Sequence, residues 1–358
     1  MVIQTEEEEK MKKLTALILI LVMACPLLSG CGSKKTTIYV YNVGDYIDED
    51  VIDQFEKENP DIKVNYETYY TNEEMYIKVK NNSTAYDIVF PSDYMVQRMI
   101  DENLLNKINF DNIPNMKNIG TQYQNLDYDP KNEYSVPYMW GTMGILYNKN
   151  MVDEKDMTSW KAMYDKKYSG KIFMLDSERD MISVTLKMLG YSMNSKNGAE
   201  LEKAKKALIA QKPLVKAYCG DEVKDKIIAG EGAMTIAWSG DAFYCMEQDK
   251  SDSLRYSIPK EGSNLWFDAM VIPKTSKHQA EAEKFIDFMC RPDIAKKNAD
   301  YIGYSTSNVE AQKLLDDDVK NNPLRYPDLT KLDNMEIFTY DKELSEKYSK
   351  LWQEVKVK

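Results

Sequence analysis

Between Thr37 and Ile100, strand-like and helix-like patterns alternate, and that alternation restricts the fold more than any other feature of the chain. Thr37–Tyr41 has the two-residue period of a strand. Asp48–Asn59 carries Val51, Ile52 and Phe55 at helical spacing, and Pro60 stops it. Ile62, Val64 and Tyr66 alternate again, and Asn72 is placed to cap a helix bearing Met75, Tyr76 and Val79. Asp87–Phe90 reads as a short buried strand, and Pro91-Ser92-Asp93 leads into a helix with Met95, Met99 and Ile100. Repeats of this length predict an α/β protein with a mostly parallel sheet flanked by helices. Ligands bind such sheets at the carboxyl ends of strands, here Asn42–Tyr46 and Ser92–Tyr94.

Farther on, Ser135–Tyr147 reads as an extended segment crossing between domains, with glycines that permit close backbone approach. A second αβ region follows. Thr158–Tyr164 is expected to be a helix, Lys171–Leu175 a strand, and Met181–Leu189 a helix stopped by Gly190. Gly198–Gln211 is an amphipathic helix, Gly232–Trp238 and Leu254–Ile258 are strands, and Gly240-Asp241 reads as a turn. The second crossing falls at Asn264–Pro273. Helices resume at Ala280–Cys290 and Pro292–Tyr301, with a loop at Ile302–Asn308. Asp341–Lys356 is a closing helix with Leu344, Tyr348, Leu351, Trp352 and Val355 on one face.

A chain of 358 residues is too long for one ordinary core and suits two domains. Its net charge of -11 argues against nucleic acid and is compatible with a cationic ligand. His278 is the only histidine, so neither a His-based triad nor a multi-His metal site can be assembled. Cys219, Cys245 and Cys290 have no metal-type spacing. No phosphate-binding glycine loop is present, and no cofactor or metal is expected.

The N-terminus reads as a secretory leader. Met11-Lys12-Lys13 is a basic start, Leu14–Leu28 is apolar and too short to span a membrane, and Leu28-Ser29-Gly30-Cys31 has the pattern of a bacterial lipobox. The leader is placed at 1–30, with the true start at Met11, lipidation at Cys31 and a polar tether over 31–36.

Alternation across Asn264–Pro273 puts Trp266 and Asp268 on one face and Leu265 and Phe267 on the other. An aromatic ring beside a carboxylate suits an organic cation. One such pair taken alone is better explained by a core tryptophan beside a solvated aspartate. Asp45 with Tyr46 and Trp238 with Asp241 repeat the pairing, and Tyr94 and Tyr304 sit in comparable loops. Five such places shift the balance toward a cation cleft.

From Thr37 onward the chain resembles the bacterial polyamine-binding proteins of ABC importers, spermidine/putrescine type. The resemblance rests on Tyr41-Asn42-x-x-Asp45-Tyr46, Tyr86-Asp87-Ile88-Val89-Phe90-Pro91-Ser92-Asp93-Tyr94, Val136-Pro137-Tyr138-Met139-Trp140-Gly141-Thr142, Trp266-Phe267-Asp268 and Ile302-Gly303-Tyr304. It implies a two-lobed periplasmic-binding-protein-like fold of type II, with the ligand cleft between the lobes. Lobe 1 is then 37–139 with 267–318, lobe 2 is 140–266, and 319–358 packs on lobe 2.

The resemblance also implies the site. Asp45, Tyr46, Ser92, Tyr94, Asp180, Trp238, Trp266, Asp268 and Tyr304 fall on ligand positions, the acids for polyamine nitrogens and the rings for methylenes. Three departures stand out: Val43 replaces a common tryptophan, Ser177 stands where a second acid is common, and a late polar ligand maps near Glu336. The implied protein is a monomeric, lipid-anchored extracytoplasmic receptor serving an ABC permease and its ATPase, with no catalysis of its own. Two other readings stay open here: a surface carbohydrate-active enzyme using paired carboxylates, and a sensor or adhesin lipoprotein of the same fold.

Overall fold

The computed structural model describes residues 35–81, 84–332 and 334–357, so the leader, the lipobox and Cys31 lie outside the described residues. The chain divides into two units, 1–36 and 37–358, and the second carries the fold. The first run is β1 (Thr36–Val43), α1 (Glu49–Glu58), β2 (Ile62–Tyr69), α2 (Asn72–Lys80), β3 (Ile88–Val89) and α3 (Asp93–Asp101). After a series of 3-10 turns comes β4 (Ser135–Asn148). The second run is β5 (Ile172–Leu175), α4 (Glu178–Met188), α5 (Gly198–Gln211), β6 (Val215–Cys219), α6 (Val223–Ile228), β7 (Met234–Trp238), α7 (Ser239–Gln248) and β8 (Leu254–Ser257). The chain then returns through β9 (Leu265–Val271), α8 (Gln279–Met289), α9 (Pro292–Ile302), β10 (Ser305–Thr306), α10 (Val309–Leu314), α11 (Asp317–Lys320) and α12 (Lys342–Val357).

The strands follow the order β2-β1-β3-β9-β4-β7-β5-β6, with β8 and β10 also on β4. Pairing is parallel within each βα run, as between β1 and β3 and between β5 and both β6 and β7. It is antiparallel wherever β4 or β9 takes part. These two are the crossing segments. One leaves a lobe and the other returns to it, so they run in opposite directions and the sheet is mixed. All of β4 is buried. It pairs with β9 up to Thr142 and with β7 from Met143 on, so one strand serves both lobes.

Each lobe has its own core. In the second lobe Trp160, Phe173, Ile182 and Ile236 pack with Leu344, Tyr348, Leu351, Trp352 and Val355 of α12, the face expected from its spacing. In the first lobe Phe55, Phe285 and Ile286 lie on one side of the sheet, and Tyr41, Tyr86, Met95 and Phe267 on the other.

Three local expectations need correction. Thr71, not Asn72, caps α2, its hydroxyl accepting from the Glu74 N–H at 3.1 Å. Asn72 is engaged elsewhere: its amide donates to Ser92 Oγ at 3.1 Å and accepts from the Ser92 N–H at 3.0 Å. The expected helix over Thr158–Tyr164 is two 3-10 turns broken at Ser159. Glu261 accepts from both Ser159 and the Trp160 N–H, and Trp160 Nε1 donates to the Gly262 carbonyl at 2.8 Å, so tertiary bonds replace helical ones. Gly240 and Asp241 lie in the first turn of α7 and are not a free turn.

Candidate functional site

The cleft is built where β1, β7, β9 and the loop after α9 converge. Asp268, at the middle of β9, bridges to Ser92 at the entry to α3. Tyr46 donates its hydroxyl to Asp268 Oδ2 at 2.6 Å. Burial pushes the Asp268 carboxyl above its ordinary range, against the pull of the Tyr46 and Ser92 hydroxyls and the Arg179 charge. An acid in this position gains from a cation that replaces its lost water.

Three rings wall this acid. Tyr46 meets Tyr304 edge to face at 5.7 Å, and Tyr304 meets Trp266 the same way at 5.1 Å. Two glycines make the packing possible. A Cβ on Gly141 would lie 2.6 Å from Trp266 Cζ2, and one on Gly240 would lie 1.4 Å from Tyr304 Cδ1. Tyr304 packs on the first-lobe core while Gly240 begins α7 in the second, so the Tyr304 ring is seated across the cleft. Its hydroxyl donates to Asp241 Oδ1 at 3.0 Å. Trp238 is half-buried at the end of β7 and packs against both cores. Trp266 Nε1 is buried with no acceptor among the described residues.

The other end of the cleft centres on Arg179. Its guanidinium lies 3.7 Å over the Tyr94 ring and 4.9 Å from the Phe338 ring. The Tyr94 hydroxyl donates to Glu73 at 2.9 Å. Asp180, 2% exposed, accepts from Ser177 Oγ at 2.6 Å and has Arg179 Nε at 4.0 Å. Burial raises the Asp180 carboxyl, with Arg179 and Ser177 opposing. Beneath this, Asp93 accepts from the Tyr94 and Phe267 N–H groups at 2.6 and 3.1 Å and ties α3 to β9. Burial pushes its carboxyl up to about 7 despite those bonds.

The structure therefore brings Tyr46, Ser92, Trp266, Asp268 and Tyr304 into one cluster, with Trp238 beside it, and joins Tyr94 to Asp180 through Arg179. Asp45 stands apart, exposed in the left-handed turn after β1 at φ 52°. Glu336 bonds Lys187 at 2.6 Å, and Phe338 lies against Arg179. Val43 is half-buried between the first-lobe cores and offers no ring.

Sequence reasoning did not single out Arg179, Gly240 or Phe338 as site residues. A signal existed for Arg179: a cation in the first turn of a helix opposes the macrodipole and needs another reason to be there. Asp241 was noted beside Trp238, but nothing local connects it to Tyr304.

The family model for bacterial extracellular solute-binding proteins matches residues 50–327. The spermidine/putrescine-binding periplasmic protein of Escherichia coli is 36% identical over 315 residues, covering 88% of this chain and 90% of its own. The spermidine/putrescine ABC transporter substrate-binding protein PotD of Streptococcus pneumoniae superposes with a TM-score of 0.81 at 41% identity, covering 90% and 99%. The TpPotD lipoprotein of Treponema pallidum superposes with a TM-score of 0.80 at 26% identity, covering 90% and 100%.

Proposed function

The chain belongs to the bacterial extracellular solute-binding proteins of the spermidine/putrescine type, and from that premise we propose that it captures a polyamine between its lobes and delivers it to an ABC permease. The observation that carries this reading is Asp268, a partly buried acid held by Tyr46 and walled by Trp266 and Tyr304. Asp268 and Asp180 neutralise ammonium groups, and Trp266, Trp238, Tyr46, Tyr94 and Tyr304 line the methylenes. Ser92 orients Asp268. The lobes, 37–139 with 267–318 and 140–266, close on the ligand, and the permease reads the closed form. No bond is made or broken. The rival glycan-cleaving enzyme finds no support in these relatives.

Titration calorimetry of the mature protein against putrescine, spermidine and spermine tests the reading. Saturable heat with at least one of them is expected. Silence with all three at millimolar concentration would remove polyamines as ligands.

Anchoring is a separate proposal, supported by Leu28-Ser29-Gly30-Cys31 after an apolar run and by the lipoprotein relative from Treponema pallidum. Changing Cys31→Ser is expected to release the protein from the membrane fraction. A variant that stays bound after a high-salt wash would show that something other than a lipid on Cys31 holds it.

A further inference from the structure

Two cleft carboxylates are each held by a tyrosine hydroxyl, Asp268 by Tyr46 at 2.6 Å and Asp241 by Tyr304 at 3.0 Å. The two tyrosine rings meet edge to face at 5.7 Å, so the acids stand on either side of one aromatic wall. Asp241 differs in having a lysine close by. Lys224 Nζ lies 3.8 Å from Asp241 Oδ1, the oxygen that Tyr304 also reaches. Lys224 projects from α6, and Asp221 holds it on its other side at 2.6 Å. Lys224, Asp221 and Asp241 also line a cavity of about 20 Å³, with Trp238, Leu175 and Cys245 in its walls. A space of that size holds about one water-sized group, which is also the size of an ammonium.

We propose that Lys224 determines ligand specificity: its ammonium is a resident cation at Asp241 and excludes ligands that bring an ammonium of their own to that acid. The inference rests on the polyamine reading and deepens it. Asp241 has what Asp268 has, a carboxylate, a tyrosine hydroxyl and an aromatic neighbour in Trp238. A ligand ammonium arriving there meets a like charge already in place. Lys224 does not swing away freely, because Asp221 holds it and its side chain is only 25% exposed. With Lys224 made neutral, Asp241 becomes a further ammonium position. Polyamines that carry more nitrogens gain from it, and a diamine already satisfied at Asp268 gains little.

The test is calorimetry of the wild type and Lys224→Met against putrescine, spermidine and spermine in one buffer. Methionine keeps an unbranched side chain and removes the charge, and Lys224→Gln serves as a second neutral variant. The ratio of spermine to putrescine affinity is expected to rise by about tenfold or more in both. Adding Asp241→Asn should return that ratio to the wild-type value. A ratio that stays within about threefold of wild type, or a rise that survives Asp241→Asn, overturns the inference. If the wild type binds none of the three, the polyamine reading falls and the inference falls with it. If the wild type binds and the ratio does not move, the inference falls alone.

Discussion

Gly240→Ala is expected to weaken polyamine binding by about a hundred- to ten-thousand-fold while leaving the ligand-free protein as stable as before or slightly more so. The added Cβ would sit 1.4 Å from Tyr304 Cδ1 and 1.7 Å from Cε1, far inside contact distance. The Tyr304 ring cannot yield in place, because Trp266 and Tyr46 pack edge-on against it at 5.1 and 5.7 Å. Overpacking costs roughly 1–3 kcal/mol, and losing the Tyr304 bond to the Asp241 carboxylate adds roughly 1.5–3 kcal/mol. Together these give about 2.5–6 kcal/mol, borne by the arrangement in which Tyr304 is seated against α7. The proposed opening of the lobes would part the ring from α7 and remove this clash, and alanine is the better helix former by about 1 kcal/mol. Small-angle scattering should show ligand-induced contraction of the wild type and none in the variant. Affinity within about fivefold of wild type would mean that closure does not use this seat.

Asp268→Asn ranks second. Inside the closed cleft an ammonium loses its water, and the carboxylate must replace it. A hydrogen bond to a charged group is worth roughly 1.5–3 kcal/mol, and removing the charge leaves the cation uncompensated. The expected loss is about 2–4 kcal/mol, or roughly thirty- to a thousand-fold in affinity. Stability responds in the opposite sense. Burial raises the folded-state carboxyl above its unfolded value, so the protonated acid favours folding. That contribution is present below the unfolded value, near pH 4, and fades as pH rises through the raised folded one. Asparagine escapes this loss. The ligand-free variant should therefore melt higher than wild type at pH 8 and equal to it near pH 4. Wild-type affinity should fall on acidification through the raised value, while the variant's should not follow it. A variant that binds as tightly as wild type would take Asp268 out of the site.

Much of this was legible because it is local. Two-residue alternation put Trp266 and Asp268 on one face of β9, and helical spacing selected the buried face of α12. Short βα repeats announced the flanking helices of the first lobe. What could not be read depends on residues far apart in sequence. Ser159 breaks a helix because Glu261 reaches it from another loop. Asn72 gives up its capping role to Ser92. Arg179 finds Tyr94 and Phe338 across the fold, and Asp241 finds Tyr304 and Lys224. Asp45 shows the opposite failure: the right residue type beside Tyr46, turned outward by a left-handed backbone.

The strand shared by both lobes also governs the order in which the molecule can fold. β4 gains its first-lobe partner only when β9 is available, and the second-lobe core is unfinished until α12 packs onto it. Both events join segments far apart in sequence, so loop-closure entropy delays them and makes folding slow. Neither core is complete around the early strands until the late sequence has been added.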